Sequence, residues 1–220
     1  MITKQTIAII GATGSMGSAI AKSLSKGNYR LLLKGNDTLK VAKLVEEIYS
    51  ENSNADIEGV VCPTEASWEA DIIILAVPYN IEAEIASSIK EVANQKIVIS
   101  ISNPLNETYN GLITSADTSA AEELQKLLPN SKVVKAFNTT FAADFTSPVI
   151  NDKQVDAFIA GNDNDALQTV SEIVATAGFN PIIAGDLKVS RTLENMQLLL
   201  IQLGNKYNYN WLAGWKILHN

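Results

Sequence analysis

The run from Thr6 to Ile10 is short, largely apolar and closed by glycines, whereas Ser15 to Lys26 behind it spaces Met16, Ile20 and Leu24 at helical intervals. This change of period predicts a strand, a tight turn and a helix. Tyr29 to Leu33 reads as a second strand, and from Asp37 a helix runs through Tyr49 with Val41, Leu44, Val45 and Ile48 facing one way. Ile57 to Val61, Ile72 to Val77 and Lys96 to Ser100 are further strands, with helices near Glu65 and from Ile81 to Ala93 between them. Ile72 to Val77 is apolar almost throughout, which suits a parallel strand covered on both faces. A long loop follows Asn103, and Ser119 with Glu122 three residues on predicts a capped helix. Lys132 to Phe137 is expected to complete the sheet. Asp156 to Ala160, a helix around Ala166 to Ala177 and a strand at Pro181 to Ala184 add a smaller α/β portion, and a last helix begins near Leu187. Strands alternating with helices predict an α/β, doubly wound parallel sheet with a small C-terminal α/β extension.

Composition narrows the chemistry. The 220 residues suit one domain with a modest extension, and 46% hydrophobic with 19% charged residues is the balance of a folded globular chain. A net charge of -7 leaves no broad basic surface, so nucleic acid is not expected as a partner. Cys62 is the only cysteine and His219 the only histidine, which argues against a disulfide, a metal site and a Ser-His-Asp triad. No apolar stretch approaches the roughly 20 residues of a membrane-spanning helix, and the N-terminus lacks the pattern of a signal peptide. A cytoplasmic protein with no membrane partner is expected.

The motif that carries most chemistry is Gly11-Ala12-Thr13-Gly14-Ser15-Met16-Gly17, between the first strand and the first helix. Glycines there let the backbone turn tightly and approach a pyrophosphate, which the helix N-terminus then holds. A glycine-rich turn with no nucleotide is the plainer alternative. At the end of the second strand, Lys34 stands where an acidic residue would bind the ribose diol of NAD, and Lys40 follows, so NADP is favoured with NAD still possible. Asn36 lies between them, and Asp37 either opposes a 2′-phosphate or caps the next helix. Val77, Pro78 and Tyr79 end the fourth strand on the same edge as candidate walls for the nicotinamide. Asn103 and Pro104 end the fifth, while Phe137, Asn138 and Thr139 end the sixth, so two asparagines are placed to share one crevice. Asn103 before proline also serves as an ordinary turn, and Lys135 as a salt-bridge partner.

Taken in order, the glycine motif, Ala76-Val77-Pro78-Tyr79, Ser102-Asn103-Pro104-Leu105, Ser119-Ala120-Ala121-Glu122, Lys135-Ala136-Phe137-Asn138-Thr139 and Ser190-Arg191-Thr192-Leu193-Glu194 span most of the chain. In these blocks the sequence resembles the coenzyme F420-dependent NADP oxidoreductases. The resemblance implies a Rossmann dinucleotide-binding domain over 1–146 and a small portion over 147–220 that completes the acceptor site and contributes to a homodimer. It also implies hydride transfer between NADP and a deazaflavin, with no catalytic side chain required, and it places Thr13 and Lys40 near the 2′-phosphate. Two positions depart from the family. Gly35-Asn36 replaces the Ser-Arg of NADP-specific members, and Asn138 stands where archaeal members have histidine. The Lys-Ala-Phe-Asn-Thr block also resembles the cytosolic domain of membrane metalloreductases, so FMN, FAD or a quinone is an alternative acceptor. A dinucleotide-sensing protein without turnover is an alternative of another class.

Overall fold

The computed structural model describes residues 4–219. Its first half-unit comprises β1 (Gln5–Ile10), α1 (Ser15–Leu24), β2 (Tyr29–Lys34), α2 (Thr38–Glu51) and β3 (Asp56–Gly59). The second comprises α3 (Pro63–Glu69), β4 (Ile72–Leu75), α4 (Tyr79–Ile89), β5 (Ile97–Ser100), α5 (Ala120–Leu127) and β6 (Lys132–Lys135). β1 lies between β2 and β4, so the chain winds outward in both directions from it and opens a crevice at the carboxyl ends of the strands.

The two-residue period of the strands decides which helices lie where. Ile7 and Ile9 of β1, Leu31 and Leu33 of β2 and Ile72 and Ile74 of β4 face one way, against α1, α2 and a later helix. The intervening Ala8, Ile10, Leu32, Ile73 and Leu75 face the other, under α3, α4 and α5. Both faces are dry, as continuous apolar strands require.

The sheet does not end at β6, as the sequence suggested. A 3₁₀ turn at Ala142–Phe145 and a small hairpin, β7 (Val149–Ile150) with β8 (Lys153–Gln154), lead into β9 (Asp156–Gly161), which pairs antiparallel with β6. Then α6 (Asn164–Thr176) crosses over to β10 (Asn180–Gly185), parallel to β9. The result is one eight-stranded sheet in the order β10-β9-β6-β5-β4-β1-β2-β3, parallel except at β6 and β9. Residues beyond 147 therefore continue the same sheet.

Three strands stop earlier than their apolar runs. Val60, Ala76 and Ala136 each donate one last backbone bond, to Leu33, Ile10 and Ser100, and the chain then peels away at the carboxyl edge. Helix α4 starts at Tyr79, before the expected Ile81, because extended Pro78 serves as its N-cap. The last helix, α7 (Ser190–Tyr207), follows a 3₁₀ turn at Leu187–Val189 and stops where Asn208 adopts the left-handed conformation. The tail then returns to β9, where Asp156 N–H donates to the Trp215 carbonyl at 2.9 Å and the Asp156 carboxylate accepts from Ile217 N–H and Lys216 Nζ.

Candidate functional site

The glycine motif is a built turn. Gly11 and Ala12 N–H groups both donate to the Lys34 carbonyl, at 2.8 and 2.9 Å, which ties the start of the turn to the end of β2. Gly11 has φ +90°, and a Cβ there would lie 2.2 Å from the Ala76 carbonyl oxygen. At Gly17 a Cβ would lie 2.2 Å from the Gly11 carbonyl oxygen, so the first turn of α1 presses directly on the loop. Gly14 differs. It is exposed, its φ of -74° and ψ of 166° suit any residue, and a Cβ would meet nothing closer than 3.4 Å. No side chain caps α1 at Gly14, so the helix N-terminus is left to what binds over it.

At the β2 end Gly35 is buried against Thr13, whose Oγ1 would sit 2.7 Å from any Cβ placed on it. A larger residue at Gly35 would thus have to displace the Thr13 side chain. Lys34 is half-buried and its Nζ donates to the Gly35 carbonyl at 2.6 Å, while Asn36 and Lys40 are exposed. Asp37 takes the capping role: its carboxylate accepts from Leu39 and Lys40 N–H at 2.9 and 3.2 Å. Val77 borders Gly11, and Pro78 and Tyr79 follow it along the same edge. Tyr79 donates its hydroxyl to Glu123 at 2.5 Å, and burial together with that carboxylate raises the phenol well above its ordinary pKa. Its polar end is therefore anchored on α5.

A cleft of about 530 Å³ opens beside the turn, with Ser15, Met16, Asn103, Phe137 and Asn138 in its wall. The two asparagines do meet. Asn103 Nδ2 donates to the Asn138 carbonyl and Asn138 Nδ2 donates to Asn103 Oδ1, each at 2.9 Å. Phe137 has φ 58°, and its ring packs on Phe145 and Phe179 in the core. Pro104 is buried behind the β5 turn, and Thr139 is fully buried. Neither is a wall of the cleft, and Lys34, Asn36 and Lys40 lie apart from it at the β2 end.

The remaining walls were not foreseen. Tyr109 comes from the loop after Asn103, which is closed by a bridge between Leu105 and Leu112, and Phe141 comes from the segment after β6. Phe141 N–H donates to Asp144 at 2.7 Å, and burial pushes that carboxyl up to about 6. Gln197 and Ile201 come from α7, and Trp211, edge-on to Phe141, from the tail. Beneath this wall Lys135 and Glu194 form an ion pair at 2.7 Å with both side chains fully buried. Arg191 is held by both Glu122 oxygens, at 2.8 and 2.6 Å, so it fastens α7 to α5.

Two buried acceptors of the cleft residues, Asn138 Oδ1 and Gln197 Oε1, receive no hydrogen bond from the described chain. Both atoms are closed to solvent, so they belong to the polar interior behind the cleft wall.

A family model described as NADP oxidoreductase, coenzyme F420-dependent, matches residues 6–104. The chain is 34% identical over 212 residues to the F420-dependent NADP reductase of Methanocaldococcus jannaschii, covering 91% of this chain and 93% of that protein. It is 29% identical to the enzyme of the same name from Methanothermobacter marburgensis, over 91% of this chain and 92% of that one. A solved structure from Arthrobacter sp. FB24, described as a candidate F420-dependent NADP reductase, superposes with a TM-score of 0.84 at 22% identity, over 98% of this chain and 100% of that one. That superposition supports the fold, and the near full-length sequence identity supports the lineage. The chain belongs to the F420-dependent NADP reductase family of oxidoreductases.

Proposed function

We propose that the protein transfers hydride between NADP(H) and the deazaflavin coenzyme F420. The observation that carries this proposal is adjacency: the cleft begins at Ser15 and Met16, on the first turn of the helix whose uncapped N-terminus suits a pyrophosphate. Its volume lies within the range of about 300–1,000 Å³ common to small-molecule sites. In this arrangement Gly11 to Gly17 hold the pyrophosphate, with Thr13, Lys34, Asn36 and Lys40 around the 2′-phosphate. Val77, Pro78 and Tyr79 border the nicotinamide, and Asn103, Phe137 and Asn138 line the acceptor side, backed by Pro104 and Thr139. Residues 147–220 complete that side through Gln197, Ile201 and Trp211.

The bound cofactors supply the hydride and its acceptor carbon, and a proton from water completes reduction of the acceptor. The chain's own residues bind, orient and exclude solvent. Asn103 and Asn138 brace each other, so the wall they form is rigid, and the apolar Met16, Ile101, Leu105, Phe141 and Ile201 keep the gap dry. The exposed aromatic tail, with Tyr207, Tyr209 and Trp211, supports a homodimer contact, testable by sedimentation.

The deciding experiment is anaerobic oxidation of NADPH with the deazaflavin, FMN, FAD or no acceptor, repeated with NADH. Turnover selective for the deazaflavin and for NADPH is expected. Asn138 in place of the family histidine favours a flavin as the second choice, and turnover with FMN or FAD alone would replace the deazaflavin proposal. Tight NADPH binding without oxidation by any acceptor would make the protein a sensor.

A further inference from the structure

Lys135 ends β6 with its side chain wholly buried, where an ammonium is tolerated only if its donors are satisfied. Its ammonium forms an ion pair with Glu194 Oε1 at 2.7 Å and donates to the Ser102 carbonyl at 2.7 Å and to Ser100 Oγ at 3.5 Å. Ser100 extends the chain by donating to Glu82 Oε1 at 3.1 Å, and the second oxygen of Glu194 accepts from Ala120 N–H at 3.2 Å. One cation thus joins β5, β6, α4, α5 and α7. Stability alone does not call for it, since apolar residues of similar volume often replace a buried ion pair without loss. Its partners indicate another task. Ser102 directly precedes Asn103, whose amide holds Asn138, and Glu194 lies one helical turn before Gln197. Asn103, Asn138 and Gln197 are all walls of the cleft, contributed by three different segments.

We infer that Lys135 is a positioning residue, a buried clamp that fixes the β5 turn and α7 at one separation so that Asn103, Asn138 and Gln197 hold a single geometry around the acceptor. The identity of that acceptor rests on the proposed function, whereas the clamp does not. Without it, α7 would still be attached through Arg191 and Glu122, but near the start of the helix, nearly two turns before Gln197.

The test is the pair Lys135→Met and Lys135→Met with Glu194→Gln, in the full chain. The single substitution strands a buried carboxylate and is expected to lower the melting temperature sharply. Adding Glu194→Gln removes that charge, keeps an oxygen for Ala120 N–H, and should return the melting temperature close to that of the parent. In the double variant kcat with the deazaflavin should nevertheless stay roughly tenfold or more below the parent, because small misplacement of a reacting ring is costly. The NADPH Kd from calorimetry should be unchanged, and the side-chain amide NMR signals of Asn103 and Asn138 should lose their dispersion and exchange protection. Parental amide signals in a stable double variant would overturn the clamp. The NMR readout needs no acceptor, so a parent that fails to reduce the deazaflavin defeats the functional proposal alone. Should the double variant not fold, Glu194→Gln decides: the Gln197 amide is expected to shift while the Asn103 signals persist, and an unmoved Gln197 overturns the inference.

Discussion

Two glycines of the first turn, Gly14 and Gly17, should separate folding from binding. Gly17→Ala places a Cβ 2.2 Å from the Gly11 carbonyl oxygen and 2.9 Å from Ala12 Cα, against the 3.0 Å below which such contacts essentially never occur. Alanine would otherwise gain about 0.5–1 kcal/mol over glycine inside a helix. The overlap is with backbone on both sides, so α1 must shift, and the cost falls in the upper part of the overpacking range, about 2–3 kcal/mol. The net expectation is a loss of about 1–2 kcal/mol, or roughly 2–8 °C in Tm at this chain length. Gly14→Val meets no such obstacle. Its backbone angles are open to valine and its Cβ is in ordinary contact, so only the weaker helix cap is lost, about 1 kcal/mol or less. Added bulk stands instead where a pyrophosphate must reach the first-turn amides, and NADPH should bind at least tenfold more weakly, about 1.4 kcal/mol. Thermal melts and calorimetry on both variants make the comparison. A folded Gly14→Val with the parental NADPH Kd would refute the placement of the pyrophosphate, and a Gly17→Ala as stable as the parent would refute the packing.

Three other outcomes are expected. Glu82 is almost fully buried, and burial raises its carboxyl from 4.5 to about 7 despite the pull of Lys135; a folded pKa above the unfolded one means its stabilising contribution is full below about pH 4.5 and is lost as pH rises through 7. Glu82→Gln should therefore gain stability at pH 8, on the order of 3 kcal/mol, and little at pH 4.5, and urea melts with the parental pH dependence would refute this. Lys40→Ala should weaken NADPH roughly 3–10-fold and leave NADH unaffected if Lys40 faces the 2′-phosphate, which calorimetry with both dinucleotides decides. Asn103→Ala removes both reciprocal amide bonds, so acceptor KM should rise and stability fall by about 1–3 kcal/mol while NADPH affinity holds, as steady-state kinetics and melts will register.

What the sequence made legible is what local chemistry determines. The change of period at Gly11 identified β1, the turn and α1, and Asp37 and Ser119 cap α2 and α5 through their own side chains. The antiparallel entry of β9 was hidden, because Asp156–Gly161 is buried at every position and reads like its parallel neighbours. The left-handed backbone at Asn208, Asn210 and Trp211, which brings the indole to Phe141, depends on packing between segments far apart in the chain.

The helix from Leu187 was expected and α7 is there; the larger omission was the share of α7 in the cleft wall, and its cause lies in the periodicity rule. Ser190, Glu194 and Gln197 recur at helical spacing, and a pattern reader assigns such a polar stripe to solvent. All three are buried, and the central one is received by a polar surface: Lys135 against Glu194, with Ser100 and Ser102 beside the lysine. A helix seated on an apolar stripe can slide or rotate at little cost, since dispersion contacts are non-directional. A helix seated on a buried cation with fixed acceptors has one register. The polar face that periodicity assigns to solvent is thus what allows Gln197 and Ile201 of α7 to be set in one wall with Asn138 and Phe141 from the segment after β6.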